Sequence, residues 1–381
     1  MSARQGFAGR AAVAGVGMTP LTRRSGRTEL DLAVAAARAA LDDAGLAAAD
    51  IDAVLSYHMN DSAPVTHVAR ELGAEPLGWH NDIHGGGTQS ASILGDAAML
   101  IDARVARTVL VYRALNGRSG VRMNAADLRL GAGTDFTLPY GLAGPVAAFA
   151  LVAQRYLAET GLGADALADV VIASRRNAAA NPRALRREPL DRAAYDASPM
   201  VASPLRRADC CQETDGACAL VLTAADHPVA RGAPRVHAVV RGGGPGASDP
   251  GRAPDPTRMF SAYVAAPLYA AAGMRPADID VALLYDAYSF LVPVQLADFG
   301  LVARADLPDV LRALAGPRPP VPVNPHGGLL SEGYVHGLNN VAEAVRQLRG
   351  DGVHQVPDAE VALCTGFGGS YGSAAVLIRD R

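Results

Sequence analysis

The chain has 381 residues, 50% of them hydrophobic, and a formal net charge of -3, the profile of a soluble protein with one large or two fused domains. All 35 basic residues are Arg and none is Lys, so Schiff-base catalysis and P-loop phosphate binding, which need a lysine amine, are excluded. The Arg residues are scattered rather than grouped in a basic stripe, which argues against a nucleic-acid partner. No apolar run approaches the roughly 20 residues of a membrane span, and Met1 to Arg10 lacks a signal-peptide core; a cytoplasmic location is expected. The four cysteines, Cys210, Cys211, Cys218 and Cys364, include no CxxC pair and no zinc spacing, so they are expected as free thiols with no metal.

In chain order, β-branched runs alternate with segments of helical period, the α/β pattern. Thr28 to Leu46 carries a stripe of Leu30, Leu32, Val34, Ala37 and Leu41 and ends at Gly45, a left-handed cap. A strand follows at Ala53–Tyr57, a helix from about Thr66 and an extended piece at Gly78–Ile83. The turn Gly85-Gly86-Gly87 leads into a long helix over Thr88–Arg104 and a strand at Thr108–Tyr112. Leu115–Tyr140 and Asn177–Asp209 are rich in Gly, Pro, Arg and Asn with little periodicity, and are expected as excursions over the mouth of a site. Asp215–Leu222 is a buried strand closing the first half, Val236–Val240 opens the second, and Gly242–Pro256 is an exposed loop.

An internal repeat links the halves. DDAGLAAADIDAVLSY at 42–57 aligns without gaps to AAAGMRPADIDVALLY at 270–285, with eight of sixteen positions identical, Tyr57 and Tyr285 among them. One repeat of this length is too long for a solenoid unit and points to duplicated α/β halves about a pseudo-twofold axis, divided as 1–230 and 231–381.

Five stretches together resemble the thiolase superfamily, in its sterol-carrier and lipid-transfer branch. They are AVAGVGMTP near the start, SPLRRADCCQETDGACALVL at 203–222, LLYDAYSF at 283–290, NPHGGLLSEGYVHGLNNVAEAVRQLRG at 324–350 and GFGGSYGSAAVL at 366–377. The resemblance implies a five-layered α-β-α-β-α fold of two similar halves, and a twofold dimer. It also implies a nucleophilic Cys at the start of the long helix, where the helix dipole lowers a thiol pKa. This chain reads HGGGTQSAS there, with Gly87 or a neighbour at the thiol position, and no Cys precedes Cys210. An acyl-cysteine at that place is therefore impossible. Where relatives carry Gly-His-Pro, this chain has Gly333-Tyr334-Val335; where they carry Asn-Glu-Ala-Phe or His-Asp-Cys-Phe, it has Tyr285-Asp286-Ala287-Tyr288. The C-terminal acid/base Cys of relatives aligns with Gly366, two residues beyond Cys364, which is expected as a core thiol.

Losing the thiol removes acyl transfer and leaves enolate stabilisation. The thiol-less, tyrosine-bearing pattern resembles the actinobacterial steroid side-chain-cleaving aldolases, which implies retro-aldol cleavage, or the reverse aldol formation, of a β-hydroxyacyl-CoA such as a steroid side-chain thioester, with a ketone and a short acyl-CoA such as propionyl-CoA as the fragments, without lysine or metal. CoA enters only as the substrate thioester, and no cofactor is expected. The resemblance also implies a small zinc-ribbon and OB-fold partner in a heterotetramer. Tyr334 with Tyr288 or Tyr285 is the expected acid/base pair, with His336 and Asp286 as the nearest relay groups in sequence. Backbone N–H groups near His84, Gly86, Gly87, Gly327 and Gly328 are candidate enolate donors, since glycine lacks a Cβ and permits close approach. His326, Tyr371 and Cys364 are candidate cavity residues. The alternative readings are a non-catalytic lipid- or acyl-CoA-binding subunit, and a diverted Claisen-type acyltransferase using Cys364.

Overall fold

The computed structural model describes residues 9–120, 137–142, 144–246, 252–316 and 319–380. The first half runs β1 (Ala11–Met18), α1 (Glu29–Ala44), β2 (Ala53–His58), α2 (Val65–Leu72), β3 (Trp79–His84), α3 (Gln89–Asp102) and β4 (Thr108–Asn116). It continues through α4 (Gly144–Thr160), α5 (Ala164–Ala179), α6 (Arg192–Asp196), the short hairpin β5 (Met200–Ala202) and β6 (Leu205–Arg206), and β7 (Asp215–Ala224). The second half comprises β8 (Arg235–Gly243), α7 (Ser261–Ala272), β9 (Val281–Leu283), α8 (Leu291–Asp298), α9 (Leu307–Leu314), α10 (Gly328–Ser331), α11 (Leu338–Arg349), β10 (Val361–Gly368) and β11 (Tyr371–Ile378).

The expected helix over 28–46 forms with Thr28 and Asp31 as a capping box and Gly45 at φ 66° as its C-cap. Its buried stripe is mostly alanine: Ala33, Ala36, Ala37 and Ala40 face the sheet beside Leu32 and Leu41. This smallness lets the helix backbone touch β1. A Cβ at Gly15 would lie 2.0 Å from the Ala40 carbonyl oxygen, and one at Gly17 2.1 Å from that of Ala36, so the AVAGVG run is glycine-bearing because of helix contact.

Nine strands form one ladder in the order β3-β2-β4-β7-β1-β8-β11-β10-β9. Read outward from its centre, β1-β7-β4-β2-β3 is mirrored by β8-β11-β10-β9, and the join is the pairing of Ala11 with Val236 and Ala12 with Arg235. The repeat is visible atom by atom. Gly45 and Gly273 both cap helices in the left-handed region, at φ 66° and 65°. The Asp52 carboxylate accepts from the backbone N–H groups of Arg107 and Thr108 at the start of β4, and Asp280 does the same for Glu360 and Val361 at the start of β10. Among the described residues the second half has no counterpart of β3; instead Val323 makes a single parallel bridge to Ala282.

The layers follow from which helices touch which strands. α1 covers one face of β1, β7 and β4; α3 and α11 lie between the two strand sets, touching both; α7 covers β8 and β11 on the far side. This is the five-layered α-β-α-β-α arrangement of a thiolase-like fold. Between the halves, 144–179 is helical, and the expected excursion at 177–209 begins only after Asn177, which lies in the last turn of α5. Ala-rich segments with few turn residues carry α4 and α5, and their packing against the second half, not their local pattern, defines them. Of the expected excursion at 115–140, residues 121–136 lie outside the described residues, as do 247–251 of the expected loop at 242–256. Among the described residues no helix is long and apolar enough to cross a membrane.

Candidate active site

The turn before α3 meets the two segments of the second half that carry the tyrosines. Together they enclose a cavity of about 910 Å³, lined by His84, Gly85, Gly86 and Gly87 from the first and Tyr285, Tyr288, Tyr334 and His336 from the second. The hydroxyls of Tyr285 and Tyr334 are 2.7 Å apart, within a hydrogen bond. The backbone of each tyrosine is held from outside the cavity. Backbone groups of Tyr285 pair with Thr365 Oγ1 and Gln295 Nε2, and the Tyr334 N–H donates to Thr214 Oγ1. Burial pushes both phenols well above their ordinary pKa of 10, so both are neutral and each can donate one proton and accept another.

The wall beside the phenols is aromatic. Phe149 lies 5.6 Å from Tyr288 and 5.0 Å from Phe367, ring centre to ring centre, and Tyr285 lies 6.0 Å from Phe367. At the mouth stand Arg23, Arg118, Arg186 and Arg207. Arg118 faces Glu213 at 3.9 Å. Arg186 is pushed down to about 10 by burial and by the charges of Arg175, Arg207 and Arg23. Holding the partly buried Arg186 beside exposed like charges costs energy that an anionic ligand recovers.

Several expected site residues lie elsewhere, for physical reasons. The buried Asp286 carboxylate accepts the N–H groups of Leu329 at 2.8 Å and Leu330 at 3.4 Å, anchoring α10, and burial pushes it up to about 6. A Cβ at Gly328 would meet that carboxylate at 2.1 Å; Gly328 is thus small to admit Asp286, and neither it nor Gly327 lines the cavity. His326 is fully buried with Nε2 3.1 Å from Asn340 Oδ1. Tyr371 is 42% exposed at the start of β11, outside the cavity lining. Cys364 is fully buried within β10, and burial pushes its thiol up, so it does not reach substrate as an acid or nucleophile.

Cys210 and Cys211, expected from the sequence only as free thiols, both line the cavity, because backbone contacts of 210 with Tyr288 and of 211 with Ala287 lay this segment along the tyrosine loop. Burial pushes Cys210 up to about 12 and Cys211 well above its ordinary value, so neither is a ready thiolate. Sequence reasoning also missed Arg113, a fully buried arginine on β4 that reaches His336 and Asp61. An arginine inside the otherwise apolar run TVLVYRAL was the available signal.

The family described as "Thiolase C-terminal domain-like" matches residues 248–381. The chain is 36% identical to the 17-hydroxy-3-oxo-4-pregnene-20-carboxyl-CoA lyase of Mycobacterium tuberculosis, over 97% of this chain and 100% of that protein. It is likewise 36% identical to a steroid side-chain-cleaving aldolase of Thermomonospora curvata, over 98% and 99% of the two chains. A solved structure described as the Ltp2-ChsH2(DUF35) aldolase superposes with a TM-score of 0.90 at 34% identity, covering 98% of this chain and 99% of that one.

Proposed function

For a chain that belongs to the thiolase superfamily, among its steroid side-chain-cleaving aldolases, we propose retro-aldol cleavage of a β-hydroxyacyl-CoA with a steroid side chain by the Tyr285–Tyr334 hydroxyl pair. The observation that carries this reading is that pair, 2.7 Å apart and lining the cavity beside a glycine turn that lacks a thiol. The reaction moves one proton from the carbinol oxygen to the α carbon, with no net gain or loss. Two neutral phenols in contact supply that transfer as a relay: one takes the carbinol proton as it passes its own to the other, which then gives a proton to the carbon. Meanwhile the electron pair of the breaking carbon–carbon bond moves to the α carbon and into the thioester carbonyl, giving a ketone and an enolate that is protonated to the short acyl-CoA. No ionised base is needed, which suits two phenols held neutral by burial.

The aromatic wall of Phe149, Tyr288 and Phe367 suits a flat apolar steroid, and the arginines at the mouth suit the phosphates of CoA. Tyr288, on that wall, is read as a contact residue. The N–H groups of Gly86 and Gly87, beside His84, serve as enolate donors. A DUF35-type partner, the expected zinc-ribbon and OB-fold protein, completes a heterotetramer built on a homodimer of this chain in the cytoplasm, and 1–230 and 231–381 are its two duplicated halves. The test is incubation with 17-hydroxy-3-oxo-4-pregnene-20-carboxyl-CoA, with and without such a partner. Release of propionyl-CoA and a 17-ketosteroid is expected. Tight binding without release, partner present, would make the chain an acyl-CoA-binding subunit instead.

A further inference from the structure

Arg113 contacts four residues in the protein interior. Its Nη2 donates to Asp61 Oδ1 at 2.7 Å and its Nη1 to the Ala114 carbonyl at 2.8 Å. Its Nε and Nη2 lie 3.2 and 2.9 Å from Nδ1 of His336, and its guanidinium carbon stands 5.6 Å from the Tyr57 ring centre. A guanidinium has only donors and stays protonated, so Nδ1 of His336 must present its lone pair and the ring proton must sit on Nε2. That Nε2 is buried with no hydrogen-bond partner among the described residues. A buried N–H left unpaired carries a desolvation cost, which a functional group recovers when ligand arrives.

The imidazole is placed as well as polarised. His336 lies in the left-handed region at φ 47°, a strained setting for a residue with a side chain. The Tyr57 hydroxyl holds it there by donating to the His336 carbonyl at 3.0 Å. A Cβ at Gly86 would lie 3.4 Å from Cε1 of the ring, and the ring centre is 4.9 Å from that of Tyr334. The ring therefore borders the glycine turn on one side and the phenol relay on the other, all on one cavity wall.

We propose that the Nε2–H of His336 is the side-chain donor that takes the enolate oxygen of the thioester, and that Arg113, backed by Asp61, is the positioning residue that fixes this tautomer. The proposal rests on the retro-aldol reading above and adds the group that stabilises its charged intermediate. A neutral donor suits the task, since an imidazolium would compete with the relay for protonating the enolate carbon. The charged and titratable groups around the ring are Arg113 and Asp61 at Nδ1, with Tyr57, Tyr285 and Tyr334 as neutral phenols.

Two measurements on the full chain test this. Nitrogen-15 NMR of the His336 ring should show a protonated Nε2 and an unprotonated Nδ1 from pH 8 to ~5, with the Nε2–H signal moving when a nitronate analogue of the propionyl-CoA enolate binds. In Arg113→Met the ring should lose that fixed tautomer and titrate above ~5. Deuterium exchange at the α carbon of propionyl-CoA reads enolate formation without any steroid; His336→Leu should slow it about 10²- to 10³-fold, and His336→Gln, which keeps an N–H donor, should restore part of the loss. A proton on Nδ1, or exchange as fast in His336→Leu as in the parent chain, overturns the proposal. A parent chain that exchanges propionyl-CoA yet cleaves no β-hydroxyacyl-CoA overturns the retro-aldol reading and leaves the donor assignment standing. A parent chain with neither exchange nor a nitronate-induced shift overturns both.

Discussion

The Tyr285 hydroxyl fills the space that a side chain on Gly87 would need: a Cβ at residue 87 would sit 2.0 Å from the Tyr285 oxygen and 2.2 Å from its Cζ. A side chain at residue 87 and the Tyr285 phenol therefore exclude each other. Gly87→Ala should destabilise the chain by about 1–3 kcal/mol through overpacking and abolish cleavage. In a Tyr285→Ala background the same substitution should cost far less. Urea unfolding of the four chains of this cycle checks it; equal costs in both backgrounds would refute the exclusion.

Tyr285→Phe and Tyr334→Phe each break the relay without changing shape, and each should lower kcat about 10²- to 10⁴-fold. The double substitution should cost little more than either alone, because the hydroxyls act as one unit. With both phenols held neutral, the parent kcat should be flat from pH ~6 to ~9. Steady-state kinetics on the steroid thioester checks all three statements.

His336 carries an acid-stability signature. Burial, and then the charge of Arg113, hold its pKa down to about 3, against 6.5 when unfolded. Below 6.5 the unfolded chain binds a proton that the folded chain refuses, so this contribution is full above 6.5 and is lost as pH falls toward 3. His336→Gln should remove roughly 2 to 5 kcal/mol of that pH-dependent loss between those limits, read as a flatter curve of unfolding free energy against pH.

Arg186 tests the phosphate reading of the cavity mouth. Arg186→Glu should raise KM for the CoA thioester about tenfold or more with kcat kept, and should weaken the dependence of KM on salt. An unchanged KM would move the CoA phosphates away from this rim.

Cys364→Ala should cost about 1–2 kcal/mol of stability as a buried truncation and leave cleavage intact. Loss of cleavage in a stably folded Cys364→Ala chain would revive a Claisen-type reading.

Order and absence are legible in the sequence alone. The α/β alternation, the duplicated 42–57 and 270–285 segments, the lack of lysine and the lack of a thiol before α3 are all local or compositional, and periodicity and counting suffice to see them. It also nominated Tyr285, Tyr288, Tyr334 and His336, which the fold brings to one cavity with the glycine turn. Where each side chain lies and what it touches depends on residues far apart in the chain, so only the folded molecule shows it. Asp286, adjacent in sequence to Tyr285, turns inward to anchor α10, whereas Arg113, 223 residues from His336, sets its tautomer. Symmetry shows the same division. Tyr57 and Tyr285 occupy equivalent repeat positions, and the fold aims both at the 334–336 segment: one hydroxyl holds the His336 carbonyl and the other meets the Tyr334 phenol. A repeat predicts that equivalent residues share a backbone setting; only the packing of the two halves onto a single loop gives one hydroxyl a backbone carbonyl and the other a second phenol as its partner.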